Sequence, residues 1–266
     1  MHGFSRIADG FLRSRGLGAD LIPPLSLVVD DLGIYYDPSR PSRLETLIEA
    51  SAALSDADRR RAEALIATLI GERLSKYNLG GANVADLPTG RRILVPGQVE
   101  DDASIRLGAT DVTTNHGLLA AARKANPAAV IIYKPHPDVE AGLRKGTVSE
   151  ATSLADVVAT KADPLALIDQ VDEVWTMTSL LGFEALLRGK KVTCLGSPFY
   201  AGWGLTDDRA MPVTRRSASP DVIALAQAVL IDYPRYFDPK SGLPCPVEVA
   251  VERLATGDIP RPSQFN

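Results

Sequence analysis

The chain has 266 residues, 45% of them hydrophobic and 23% charged, with a formal net charge of −4. That balance describes a globular protein of one or two domains, and the mild acidity argues against nucleic acid or an anionic membrane as the principal partner. Two cysteines, Cys194 and Cys245, provide neither a disulfide framework nor a zinc spacing and suit a reducing cytoplasm, and no apolar run reaches the roughly eighteen residues of a spanning helix or follows the pattern of a secretory leader.

Residues 1–24 are rich in Gly and Arg and close on Pro23-Pro24. Leu25–Asp30 and Gly33–Asp37 then read as two short strands around an Asp-Asp-Leu-Gly turn. Helical spacing follows over 43–54 and 55–77, with Ser55-Asp56 as a cap and Asn78-Leu79-Gly80-Gly81 as the stop. The basic runs Arg59-Arg60-Arg61 and Arg91-Arg92 read as solvated faces that would also tolerate lipid phosphates. From Arg92 onward strands and helices alternate: strand 93–96, helix 113–125, strand 129–134, helix 164–170, strand 173–178, helix 179–189, strand 191–196. That order predicts an α/β fold with a parallel sheet covered on both faces. Beyond Ala201-Gly202-Trp203-Gly204, helices near 220–231 and 246–255 flank a Pro- and Tyr-rich loop.

Three places carry chemistry. The run Glu100-Asp101-Asp102 follows the first strand of the predicted sheet and has three readings: a solvated loop, a Mg²⁺ site, or a carboxylate that attacks or stabilises an oxocarbenium-like sugar centre. His136 is held between Pro135 and Pro137 at the exit of a strand, where ligands of open parallel sheets bind, and Lys134 beside it suits a phosphate; the alternative is a histidine packed under a loop. Thr178 and Ser179 are good N-cap residues, and the helix they open would aim its free N–H groups and positive dipole end at the same crevice. Glu184, about one and a half turns into that helix, reads either as an acceptor for ribose hydroxyls or as a solvated helix-face residue.

Together, Lys134-Pro135-His136-Pro137, Gln98 with Asp102 and Ser104, Thr178-Ser179 through Gly189-Lys190, and the run from Ser197 to Asp208 that contains Tyr200 and Trp203 resemble the bacterial capsule β-Kdo transferases of the KpsC/LipA type. Asp9-Gly10-Phe11-Leu12-Arg13-Ser14 and Gly33–Asp37 extend the resemblance over about residues 6 to 240. It implies a GT-B-like enzyme whose Rossmann-like donor half is largely complete and whose N-terminal half is partial. The implied division is an acceptor-side remnant with linking helices over 1–90, a CMP-sugar-binding domain over 91–240, and a C-terminal helix and tail over 241–266. The implied activity is transfer of Kdo, with retention, from CMP-Kdo to a lipid-linked Kdo primer for capsular polysaccharide, with no metal or other cofactor and no nucleic acid. Peripheral contact with the inner membrane and a second chain completing the cleft are both compatible with it. Carried over, His136 and Ser179 hold the CMP phosphate with Lys134 nearby, and Asp102 captures the sugar. Where the family motif begins with an acid/base Glu this chain has Ala8, so the resemblance makes Asp9 the catalytic stand-in on condition that the loop shifts, since neighbouring residues point in different directions. The competing expectation is a nucleotide-binding module without turnover.

Overall fold

The computed structural model describes residues 5–16, 22–78, 80–82 and 86–260. The chain begins with β1 (Arg6–Asp9), β2 (Ser26–Asp30), α1 (Arg43–Ser51) and α2 (Asp56–Gly71). It continues through β3 (Arg92–Pro96), α3 (Ala103–Gly108), α4 (Asn115–Ala125), β4 (Val130–Lys134), α5 (Pro137–Glu140), α6 (Ala151–Leu154) and β5 (Val157–Val158). Next come α7 (Pro164–Gln170), β6 (Glu173–Thr176), α8 (Leu180–Leu187), β7 (Lys191–Cys194) and β8 (Asp207–Asp208). The last elements are α9 (Val222–Ala226), a π-helical turn over Gln227–Asp232, β9 (Pro234–Phe237), β10 (Pro244–Cys245) and α10 (Val247–Thr256).

Two compact units result: Met1–Ile34, Pro41–Leu79 and Pro220–Asn266 form the first, Tyr35–Arg40 and Gly80–Ser219 the second. The sequence divides at 90 and 240, whereas the contacts gather both ends of the chain into one unit. The cause is β9, which pairs with β2 and ties the C-terminal segment to the N-terminal one.

In the second unit all six strands run parallel in the order β5-β4-β3-β6-β7-β8. Strand order reverses between β3 and β6, the topological switch point beyond which open α/β sheets bind their ligands. Apolar runs make these strands: Ile93, Leu94 and Val95 are fully buried, and every residue of β6 is buried. Ile93, Val95, Ile131, Tyr133 and Trp175 belong to one core cluster with Leu118, Leu119 and Ala122 of α4, whose three-to-four spacing builds the stripe facing the sheet. Each such fully buried Leu stabilises the fold by about 1.5–3 kcal/mol. The strand expected over 173–178 stops at Thr176, because the next residues turn to cap α8.

The first unit carries an antiparallel sheet in the order β1-β2-β9-β10. Gly33–Asp37, expected as a strand, is not one. The Asp30 carboxylate instead accepts the N–H groups of Leu32 (2.9 Å), Gly33 (2.8 Å) and Arg43, together with the Tyr233 hydroxyl (2.8 Å), and folds the chain into a turn. The strand beside β2 is β1, and β9 and β10 occupy what reads as a Pro- and Tyr-rich loop. Helix α2 ends at Gly71 instead of running to Tyr77, with Arg73 in the left-handed region (φ 51°) just beyond. Part of the expected stop, Leu79, lies outside the described residues, as do 1–4 and 17–21 of the Gly/Arg-rich lead-in and the tail beyond 260. Among the described residues no helix is long and apolar enough to cross a membrane.

Candidate functional site

Beyond the carboxyl ends of β3, β4 and β6, three turns are locked together by buried polar bonds. The Gln98 N–H donates to Asn115 Oδ1 (2.8 Å), and Asn115 Nδ2 donates to the carbonyls of Gln98 and Gly146 (both 2.8 Å). The Gln98 side chain crosses the switch point: its Nε2 donates to Thr178 Oγ1 (3.0 Å) and its Oε1 accepts the Thr178 N–H (3.0 Å). Gln98, a site candidate through the family resemblance, therefore spends its amide on the frame. Thr178 is held by Gln98 and does not cap the helix. Asn115, fully buried and absent from the sequence-based candidates, is the hub of this frame.

His136 caps α5. Its Nδ1 accepts the Asp138 N–H (3.2 Å), which fixes the neutral tautomer with the proton on Nε2. Nε2 makes no hydrogen bond among the described residues, and the side chain stays 26% exposed. Burial, first of all, pushes the imidazole below its usual pKa; Lys134 and Arg144 push the same way, against Asp138 and Asp102. The ring is thus an uncharged N–H donor at neutral pH. Gly97 makes the close approach possible, since a Cβ there would lie 2.8 Å from the Tyr133 hydroxyl and 3.3 Å from the His136 nitrogen. Lys134 is not displayed beside the imidazole: it is 4% exposed, its Nζ donates to the Pro135 carbonyl (2.9 Å) and faces Glu140 (3.5 Å), and burial lowers its pKa.

Ser179 is the N-cap of α8, its hydroxyl accepting the Leu181 N–H (3.3 Å). The cap is braced from inside the unit by Tyr200, whose hydroxyl donates to the Ser179 carbonyl. A Cβ on Gly182 would meet that hydroxyl at 2.2 Å, so the glycine lets the tyrosine reach the cap. Tyr200 is fully buried, which drives its pKa well up, and Trp203 is buried with Nε1 donating to the Phe199 carbonyl (2.8 Å). Both shape the site from behind and present no surface to a ligand. Glu184 is 7% exposed, which removes the solvated-face reading.

The acidic run disperses. Glu100 Oε1 accepts the Asn115 N–H (2.7 Å), Asp101 pairs with Arg144 (3.0 Å), and Asp102 caps α3. Among the described residues no cluster of three His, Cys, Asp or Glu side chains could hold a metal. Asp102 Oδ1 accepts both the N–H (2.8 Å) and the hydroxyl (2.7 Å) of Ser104, while the exposed carboxylate's Oδ2 makes no hydrogen bond among the described residues. Asp9 belongs to the first unit, on β1, where it pairs with Arg13 (2.5 Å).

The second unit thus presents a neutral imidazole N–H past β4 and the capped amino end of α8 past β6, with a half-anchored carboxylate on the loop after the intervening β3. Such a rim can hold an anion and offer a nucleophile beside it. The profile of the capsule polysaccharide biosynthesis proteins matches residues 3–79 and 64–236. The chain is 49% identical over 252 residues to the capsule polysaccharide modification protein LipA of Neisseria meningitidis serogroup A, covering 94% of this chain and 36% of that one. It is 47% identical over 256 residues to the lipopolysaccharide-processing protein LpsZ of Rhizobium meliloti, covering 94% of this chain and 58% of LpsZ. Among solved structures it superimposes on the Thermosulfurimonas dismutans KpsC β-Kdo 2,4-transferase (TM-score 0.85, 37% identity, 94% of this chain and 78% of that one). The KpsC β-Kdo 2,7-transferase of the same organism gives a TM-score of 0.81 at 38% identity, over 96% and 78%. The chain spans about a third of the length of LipA and somewhat over half that of LpsZ.

Proposed function

The chain belongs to the capsule polysaccharide biosynthesis protein family, of the KpsC/LipA type, and on that footing we propose that it is a retaining glycosyltransferase taking Kdo from CMP-Kdo to a lipid-linked Kdo primer. The observation that carries this reading is the rim at the switch point: His136 Nε2–H, the Ser179-capped end of α8 and the free Oδ2 of Asp102. The imidazole and the helix end hold the phosphate as charge builds on it. Asp102 Oδ2 attacks the anomeric carbon, the bond from that carbon to the phosphate oxygen breaks, and CMP leaves with the electron pair. An acceptor hydroxyl then displaces Asp102 from the same carbon, giving its proton up to water and returning Asp102 as the carboxylate, and the two inversions leave the configuration unchanged. A monophosphate leaving group carries less charge than a diphosphate, so the imidazole and helix dipole suffice and no metal is expected. In a GT-B-like reading the second unit is the donor half, working in the cytoplasm with its lipid-linked acceptor at the inner membrane.

A second reading, a donor-nucleotide module without turnover, is favoured by Ala8, which removes the acid/base of the family motif, and by the commitment of Asp9 to Arg13. Incubation with CMP-Kdo and a Kdo-lipid acceptor, read by mass spectrometry, separates the two. A product one Kdo heavier supports the transferase; CMP binding with no product selects the module; a chain that binds no CMP loses both readings.

A further inference from the structure

We infer that Arg144 is the receptor for the carboxylate of the activated sugar acid, taking it up in exchange for Asp101; this rests on the donor-site reading above. Residues 143–146 are fastened by backbone bonds to both sides of that site. The N–H groups of Leu143 and Arg144 donate to the Asp138 carbonyl (2.9 and 3.2 Å), just past the His136 cap. The Glu100 N–H donates to the Lys145 carbonyl (3.1 Å), and Asn115 Nδ2 to that of Gly146. Gly146 has φ 136°, and a Cβ there would lie 2.6 Å from Asn115 Nδ2 and 2.7 Å from the Gln98 carbonyl, so the segment is shaped to lie against this frame. Arg144 is thereby carried to the side of the Asp101-Asp102 turn.

Its guanidinium makes a single hydrogen bond among the described residues, Nη2 to Asp101 Oδ1 at 3.0 Å, with the two side chains 42% and 50% exposed. A one-point exposed pair of this kind stabilises little and exchanges readily, and the planar fork keeps donors for a bidentate carboxylate. A CMP-activated sugar acid brings two anionic groups. His136 and α8 answer the phosphate. The carboxylate would otherwise face Glu100, Asp101 and Asp102, and the neighbouring Lys134 is buried against Glu140. Arg144 and Lys145 are the exposed cations fastened there; of the two, Arg144 has the planar fork that suits a carboxylate, and its charge is the one that reaches His136.

Calorimetric titration of wild type, Arg144→Gln and Asp101→Asn with three probes tests this: CMP, a hydrolysis-resistant CMP-Kdo analogue, and the same analogue with its carboxylate replaced by a carboxamide. Arg144→Gln should bind CMP and the carboxamide within about twofold of wild type and the acid analogue about tenfold more weakly, the order expected for a charged hydrogen bond at a partly exposed site. Asp101→Asn, which removes the competing carboxylate, should tighten the acid analogue alone. Equal losses for all three probes in Arg144→Gln, or no loss for any, overturn the inference and leave the donor-site reading standing. Absence of CMP binding by the wild type overturns the donor-site reading and this inference with it.

Discussion

Replacing Asp102 by Asn separates chemistry from architecture, because the same carboxylate serves both. Oδ1 caps α3 through Ser104 N (2.8 Å) and Oγ (2.7 Å), and an Asn Oδ1 can accept both bonds. Asn and Asp rank equally as N-caps, so Asp102→Asn should unfold within a few tenths of a kcal/mol of wild type, whereas Asp102→Ala, which loses the cap, should cost about 1 kcal/mol. In a chain of this size that is a shift of about 2–4 °C in Tm. If Oδ2 forms the covalent bond to the sugar, transfer in Asp102→Asn should fall by about 10³-fold or more, which is ~4 kcal/mol of transition-state stabilisation and well beyond what a cap supplies. Differential scanning fluorimetry reads the first quantity and mass-spectrometric product formation the second. Transfer surviving in a folded Asp102→Asn chain, or activity lost only in proportion to Tm, would remove Asp102 from the chemistry.

His136→Ala should weaken CMP by about 1.5–3 kcal/mol, the worth of a hydrogen bond to a charged group, while loss of the α5 cap should cost about 1 kcal/mol in urea unfolding; unaltered affinity in titration calorimetry would return the ring to a structural part. Asn115→Ala strands the Gln98 and Gly146 carbonyls and the Gln98 N–H, all bonded at 2.8 Å, and should destabilise the chain by ~2 kcal/mol or more in urea unfolding; a loss below about 0.5 kcal/mol would contradict its place as hub. The pKa of His136 lies below the ordinary 6.5 in the folded state, so below that pH the unfolded chain binds more protons. The stability of the neutral ring is fully present above 6.5, declines as pH falls, and levels off once the pH passes the folded pKa. His136→Gln should flatten that part of the stability-versus-pH curve, and an unchanged slope would show that the ring is not held neutral.

The parallel sheet is legible because its central strands carry continuous apolar runs of three or four residues, Ile93-Leu94-Val95 and Val130–Tyr133, separated by capped helices. Of the antiparallel sheet only β2 is. β9 and β10 each open on a proline, β9 takes its pairing from β2 far away in sequence, and the turn after Asp30 depends on Arg43 and Tyr233, which no local pattern announces. At the site, Ser179 is readable because a cap is a local device, set by the residue and its next two or three neighbours, whereas His136 reads only as a strand-exit residue between prolines and its capping of α5 emerges from the fold. Lys134, Tyr200 and Trp203 carry the right chemistry in the right motif, but packing turns them inward. Asn115 and Arg144 escape notice because their partners lie tens of residues away, across two strands, with no spacing to betray them.

Two-dimensional ¹H–¹⁵N correlation spectra of the labelled chain, recorded while CMP is added, locate the donor site residue by residue. Saturable shifts are expected in the turns after β3, β4 and β6, at 98–104, 135–138 and 178–182, with Leu180 and Leu181 at the amino end of α8 among the largest. Shifts centred on the first unit, or spectra unchanged at millimolar CMP, would contradict that placement.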